Sequence, residues 1–172
     1  MPASLKFCFY GLESRFSMPS EAIEIANTLR ALGMDEVLIN VATITAGILF
    51  GAMVFFPSVV APNVFKALSE DDGGAFLRRL FPSYYVFIIV FSALTAVLSY
   101  ARPIIAVGFA CVALSTLLVR QLLVPKLNAW RDAGKAGDAT ALKQFDSGHR
   151  LSVIVNLLQM VFVIIGLWVL AS

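Results

Sequence analysis

The sequence predicts an all-α fold: a polytopic membrane protein built as an antiparallel bundle of four transmembrane helices. Three observations predict it. Of the 172 residues, 59% are apolar and 14% are Asp, Glu, Lys or Arg, against about 45–50% and about 25% in an ordinary soluble domain. The apolar residues gather into four uncharged runs, 37–65, 81–101, 103–119 and 151–172, each between 17 and 29 residues long. A helix crossing a bilayer needs about 20 such residues, with about 17–25 tolerated. The segments between the runs are polar, and one of them, Arg102-Pro103, is so short that its flanking spans must be antiparallel neighbours. A soluble enzyme, a nucleic-acid binder and a disordered chain are excluded by this composition.

Residues 1–36 form a polar segment, with Glu13, Glu21, Glu24, Asp35 and Glu36 set against Lys6, Arg15 and Arg30. Their apolar runs fall short of the ~7–15 residues of a signal peptide, so the first span itself is expected to direct insertion. Ser20, Glu21, Ile23, Ile25, Ala26 and Leu29 read as a short amphipathic helix ended by Gly33. Met18 and Met34 are alternative starts, and residues 1–33 read as a dispensable or mis-started extension.

The membrane domain, 37–172, divides into spans at about 37–60, 84–101, 104–124 and 151–171. Pro57 and Pro62 fall where the first helix is expected to leave the hydrocarbon. A loop should follow at 61–83, carrying Lys66, a Ser69-to-Gly74 turn and Arg78-Arg79. The longest polar loop is expected at 125–150, with Asp138 as an N-cap that starts the last helix outside the membrane. The two larger loops and their flanks hold nine Lys and Arg, the opposite side four. That asymmetry predicts cytoplasmic loops at 61–83 and 125–150 and both termini outside a cell (inner) membrane. Tyr84, Tyr85 and Trp130 then mark the inner interface, Tyr100 and Trp168 the outer one.

The candidate functional residues are the polar ones within or beside the spans. One residue advances about 100° around a helix, so Asn40, Thr43, Gly47 and Gly51 share an arc of the first span. Ser92, Thr95 and Ser99 share one on the second, and His149, Ser152, Asn156 and Gln159 one on the fourth. Lipid offers an amide no hydrogen bond, so these arcs are expected to face one another as a polar seam. Packing alone accounts for the small residues, and Gly47-Ile48-Leu49-Phe50-Gly51 is a helix-association motif compatible with a homo-oligomer. Asn156 and Gln159 carry more hydrogen-bonding groups than packing requires, which leaves a structural and a functional role open. His149 is the only histidine; it is either an interfacial residue beside the anchor Arg150 or a proton-handling ligand looking into the seam. Arg120, about one turn before Pro125, is an anchor that snorkels or a functional cation. No Asp or Glu lies in any span, which argues against a carboxylate-based ion pump. Cys8 and Cys111 form no metal-ligand spacing, so no metal is expected.

Phe55-Phe56-Pro57, Pro62, Phe65 and Leu80-Phe81-Pro82-Ser83-Tyr84-Tyr85 form an ordered pattern. Arg120, Pro125 and Asn128 continue it, and Phe145, His149, Ser152 and Asn156 read F-x3-H-x2-S-x3-N. This order resembles the transmembrane protein 205 family over roughly 35–171, a resemblance that implies a four-span architecture rather than an activity. More distantly the chain resembles copper-resistance protein D and the small membrane protoporphyrinogen oxidase. Haem held by two histidines is impossible in a chain with only His149; a His149/Met53 pair, or His149 from two copies, would be needed. Five scattered methionines do not form the clusters that copper transport requires.

The leading expectation is a non-enzymatic bundle without cofactor that packs with partners or holds a small amphipathic solute. Two alternatives stand beside it. One is a haem- or porphyrin-binding enzyme using His149, with Arg120 and Arg150 pairing ligand carboxylates; the other is a small-molecule efflux or resistance protein. The expected partners are the lipid bilayer, a second copy and an unknown small molecule, with no nucleic acid.

Overall fold

The computed structural model describes residues 19–172, so the expectation about residues 1–33 falls largely outside it. The first helix, α1 (Ser20–Ala31), is the amphipathic segment read from the sequence. Gly33 then turns the chain with φ +66°, in the left-handed region that glycine adopts without steric cost. Four long helices follow: α2 (Met34–Ala67), α3 (Glu70–Leu98), α4 (Pro103–Lys135) and α5 (Ala139–Ala171). Among the described residues these four are long and apolar enough to cross a membrane, and there is no strand. The chain is an all-helical, multi-pass membrane protein.

The connections are shorter than the sequence led us to expect, and the difference has a local cause in each place. The predicted loop 61–83 is almost entirely helix. Ser69 is not part of a turn but the N-cap of α3: its hydroxyl accepts from the Asp72 amide at 3.1 Å. Glu70, Asp71 and Asp72 fill the first turn, where carboxylates oppose the helix dipole favourably. The predicted loop 125–150 is helical as well, apart from a short break at 136–138. As expected, Asp138 caps α5, its Oδ1 accepting from the amides of Thr140 and Ala141 at 2.8 and 3.0 Å.

Prolines that looked like helix ends are absorbed. Phe56–Val60 in α2 and Val119–Leu123 in α4 are single π turns, in which the Phe56 carbonyl accepts from the Ala61 amide and the Val119 carbonyl from the Val124 amide. A proline ring clashes with the carbonyl four residues back and donates no hydrogen bond. The wider turns directly precede or contain Pro57, Pro62 and Pro125, and they let both helices run on.

Helices of 29 to 34 residues are about 44–51 Å long at ~1.5 Å per residue, against a hydrocarbon core of ~30 Å. The surplus sits at one end, where 66–80 and 120–150 carry the charges, and forms a polar helical cap. Arg78 donates to Asp132 at 2.8 Å and to the Asn128 carbonyl at 3.0 Å, and Lys135 pairs with Asp71. The Arg131 guanidinium lies against Gly74, where any Cβ would overlap it.

Within the bilayer, α2 packs on α3 and α5 and α3 packs on α4; α4 touches α5 there more sparingly and closes the ring chiefly through its second half, in the cap. Ala42, Ala46, Leu49 and Met53 of α2 meet Ile88, Phe109, Val112 and Val163 in the core. At the end away from the cap, the Tyr100 hydroxyl donates to the Asp35 carboxylate. Arg102, in the tight turn between α3 and α4, donates to the Val169 carbonyl. A cation there satisfies a terminal carbonyl of α5 and complements its dipole.

Candidate functional site

The polar groups of the spans do not make one seam. They make two separate bridges, on opposite sides of the ring. Between α2 and α3, Thr45 and Thr95 hydroxyls meet at 2.9 Å, and Thr95 also donates to the Phe91 carbonyl at 2.8 Å. Thr45 likewise lies 2.9 Å from the Ala42 carbonyl, so each hydroxyl has a backbone acceptor on its own helix and either one can donate across the pair. Ser99 donates to the Thr95 carbonyl at 2.6 Å, and Ser92 is fully enclosed on the same face of α3.

Between α4 and α5 the Gln159 amide donates one proton to Ser115 Oγ at 2.8 Å and the other to Thr116 Oγ1 at 3.1 Å. The two hydroxyls pass their own protons to the carbonyls of Cys111 and Val112, both four residues back on α4. Gln159 is 8% exposed. Its amide is thus a strut between helices, with both N–H groups assigned.

The remaining candidates are dispersed. Asn156 is half-buried and, among the described residues, donates to Met160 on its own helix, Nδ2 to Sδ at 3.5 Å. Ser152 donates back to the His149 carbonyl at 2.7 Å. His149 is exposed, its ring lying nearly parallel to that of Phe145 at 5.9 Å between centroids. Arg120 is half-buried in the π turn of α4, and Arg150 is exposed. None of these side chains contributes to either bridge.

The arc of α2 requires a correction. Its buried residues are Ala42, Thr45, Ala46, Leu49 and Met53, and these centre roughly opposite Asn40, Thr43, Gly47 and Gly51 at about 100° per residue. Asn40 and Gly51 are exposed, and a Cβ built on either Gly47 or Gly51 meets nothing within 4 Å. The motif that looked like intramolecular packing faces away from its own bundle.

The glycines that do let helices approach are others, which the sequence reading passed over. A Cβ at Gly108 of α4 would overlap the Phe162 ring of α5, and one at Gly166 of α5 would stand 2.9 Å from Phe109 of α4. Phe109 and Phe162 meet edge to face at 5.6 Å. At the cap, Gly148 is covered by Leu127 and Trp130. Ser115 and Thr116 were missed too; their signal was two adjacent hydroxyls in an otherwise apolar run, on the one span whose polar arc was not traced.

An aromatic cluster marks where the bundle passes into the cap. Phe56 stacks on Tyr84 at 4.3 Å, and Phe81 stacks on Tyr85 at 5.7 Å. Beside it, an apolar groove of about 300 Å³ opens between α2 and α3, walled by Phe55, Phe56 and Val60 on one helix and Leu80, Tyr84 and Phe87 on the other. Among the described residues, no three His, Cys, Asp or Glu side chains gather as a metal site.

In comparison with known proteins, the family model described as a domain of unknown function, DUF4149, matches residues 44–136. The match takes in most of α2, all of α3 and all of α4. No curated protein and no solved structure matches the chain.

Proposed function

The chain belongs to the DUF4149 family, whose model covers more than half of its 172 residues, and we propose that it acts by association in the bilayer rather than by turnover. The observation that carries this reading is the outward face of α2. Gly47 and Gly51 lie open to contact, with Asn40 exposed on the same arc. Small residues one turn apart allow a second helix to approach closely, and a lipid-facing amide gains a hydrogen bond by pairing. The occupant that fits with the fewest assumptions is α2 of a second copy, because a two-fold contact would set each Asn40 and each glycine pair against its equivalent.

The test is the subunit count of the labelled protein in lipid bilayers at low density, read by single-molecule photobleaching. Dimers that become monomers in Gly47→Leu/Gly51→Leu support the reading. A wild-type protein that is monomeric throughout overturns it.

The haem alternative finds less support. Met53 is fully enclosed in the core, whereas His149 is exposed against Phe145, so an iron shared by the two would require the core to open. Kinship with the transmembrane protein 205 family remains our reading. The family match spans the Phe55-to-Tyr85 pattern together with Arg120, Pro125 and Asn128, but not the F-x3-H-x2-S-x3-N segment. We also propose that the polar cap is cytoplasmic, with both termini outside, since most of the cations sit on that face. A reporter fused at Ser172 and active only in the cytoplasm would refute this orientation.

A further inference from the structure

We infer that the groove between α2 and α3 is a binding site for one anionic phospholipid, with an acyl chain along the groove and the phosphate on Arg79. The argument begins with what the groove offers. Its walls are apolar, and it is preformed: Phe56 is held by stacking on Tyr84, and the π turn Phe56–Val60 shapes one side. An ordinary seam between two helices is closed by interdigitating side chains. This one stays open to the hydrocarbon at the level where the bundle meets its cap.

Charge complementarity selects the headgroup. Arg79 directly precedes the groove residue Leu80 and is exposed. The ion pairs among the described residues are Arg78 with Asp132 and Lys135 with Asp71, and Arg79 takes part in neither. The nearest carboxylate on its own face of α3 is Asp72, seven residues before it and about 10 Å further out at ~1.5 Å per residue, where it accepts from the Ser69 hydroxyl. Arg79 is one step of about 100° around α3 from Leu80, on the flank of the groove's polar end, and a guanidinium there with no carboxylate paired to it suits a phosphate diester, which it can hold in bidentate fashion. Lys66 stands further out on α2, the opposing helix, exposed and outside both ion pairs.

The order along α3 matches the order along a glycerophospholipid. Phe87 lies deepest, Leu80 at the mouth and Arg79 at the surface, as acyl chain, glycerol and phosphate succeed one another. Neither the outward glycine face of α2 nor the state of association enters the argument, so this site stands or falls apart from the proposed self-association.

Native mass spectrometry of the intact protein, released from nanodiscs of mixed phosphatidylglycerol and phosphatidylcholine, tests it. The wild type should retain one phosphatidylglycerol in preference to phosphatidylcholine. Arg79→Gln should reduce that preference about tenfold, the weight of one charge-assisted contact, and Arg79→Lys should restore most of it. Ala52→Leu, which adds bulk to the groove wall, should lower retention of both lipids. Arg150→Gln, which removes an exposed cation of α5 outside the groove walls, should leave the preference unchanged. Equal retention of the two lipids by the wild type would overturn the inference. So would an Arg150→Gln loss as large as that of Arg79→Gln. Retention of both lipids left unaltered in Ala52→Leu would place the lipid outside the groove and would overturn it as well.

Discussion

The bilayer-spanning bundle and the polar cap are made by the same four helices, yet they are held together by different chemistry. In the bundle, helices meet through Gly108 against Phe162, Gly166 against Phe109, and hydroxyl or amide bridges such as Thr45–Thr95 and Gln159–Thr116. In the cap they meet through Arg78–Asp132 and Lys135–Asp71, and Ser69 and Asp138 each cap the helix they start. The solvent explains the difference. Lipid gives no hydrophobic drive for two apolar helices to associate, so closeness of fit and internally satisfied hydrogen bonds must do it. Water tolerates charge and screens it, so the cap can use ion pairs and termini that would be prohibitive a few turns deeper.

Gly108→Leu should break the comparison most sharply. A side chain there must displace the Phe162 ring, and overpacking a tight contact costs about 1–3 kcal/mol; the midpoint of unfolding in detergent should fall clearly. If Gly108→Leu left that midpoint unchanged, the close α4–α5 approach would be wrong. Next comes the cap: Asp138→Ala removes the acceptor for two amides and should cost about 1 kcal/mol. Faster amide exchange in the first turn of α5, with the spans unaffected, would locate the loss.

Gln159→Leu is the subtler test of the bundle. Ser115 and Thr116 keep their bonds to backbone carbonyls when the amide is gone, so no hydroxyl is stranded. The expected cost is about 0.6 kcal/mol, the average for such bonds in membranes. A loss of several times that size would mean that the amide does more than brace two helices.

Smallest of all is the response of the cap's ion pairs to acid. The Lys135 ammonium beside Asp71 and the Arg78 guanidinium beside Asp132 hold both carboxyls below their ordinary value of 3.8. A carboxyl whose folded value is depressed adds stability above its unfolded pKa and loses it as pH falls through the folded value. Exchange in the cap should therefore be flat from neutral pH down to about 5 and quicken only below about 4. High salt should weaken the same contacts while leaving the bundle unmoved. Cap protection lost near pH 6 would contradict this assignment.

Much of this architecture was legible in the residues. The four spans follow from uncharged runs, the α3–α4 turn from Arg102-Pro103, and two boundaries from local chemistry, the left-handed Gly33 and the cap Asp138. These features act over one turn of backbone or over a whole segment's transfer into lipid, so no distant partner is needed to read them. The continuation of α2 through Pro57 and Pro62 was not legible, because a π turn and a break look alike until the following residues have neighbours to pack on.

Helix facing divides the two kinds of knowledge most clearly. Periodicity showed that Asn40, Thr43, Gly47 and Gly51 share an arc, and that Ser92, Thr95 and Ser99 share another; the second is buried and the first is turned outward. A glycine in an apolar helix carries no mark of what lies opposite. Gly108 and Gly51 look equivalent in the chain, and only the arrival of Phe162 over one of them separates packing from open surface. The sequence by itself determined which segments enter the membrane, because transfer into lipid is a sum over residues. Which faces meet was decided by the tertiary structure, because contact depends on pairs of residues far apart in the chain, and in hydrocarbon the fit between those pairs replaces the hydrophobic effect as the discriminating term.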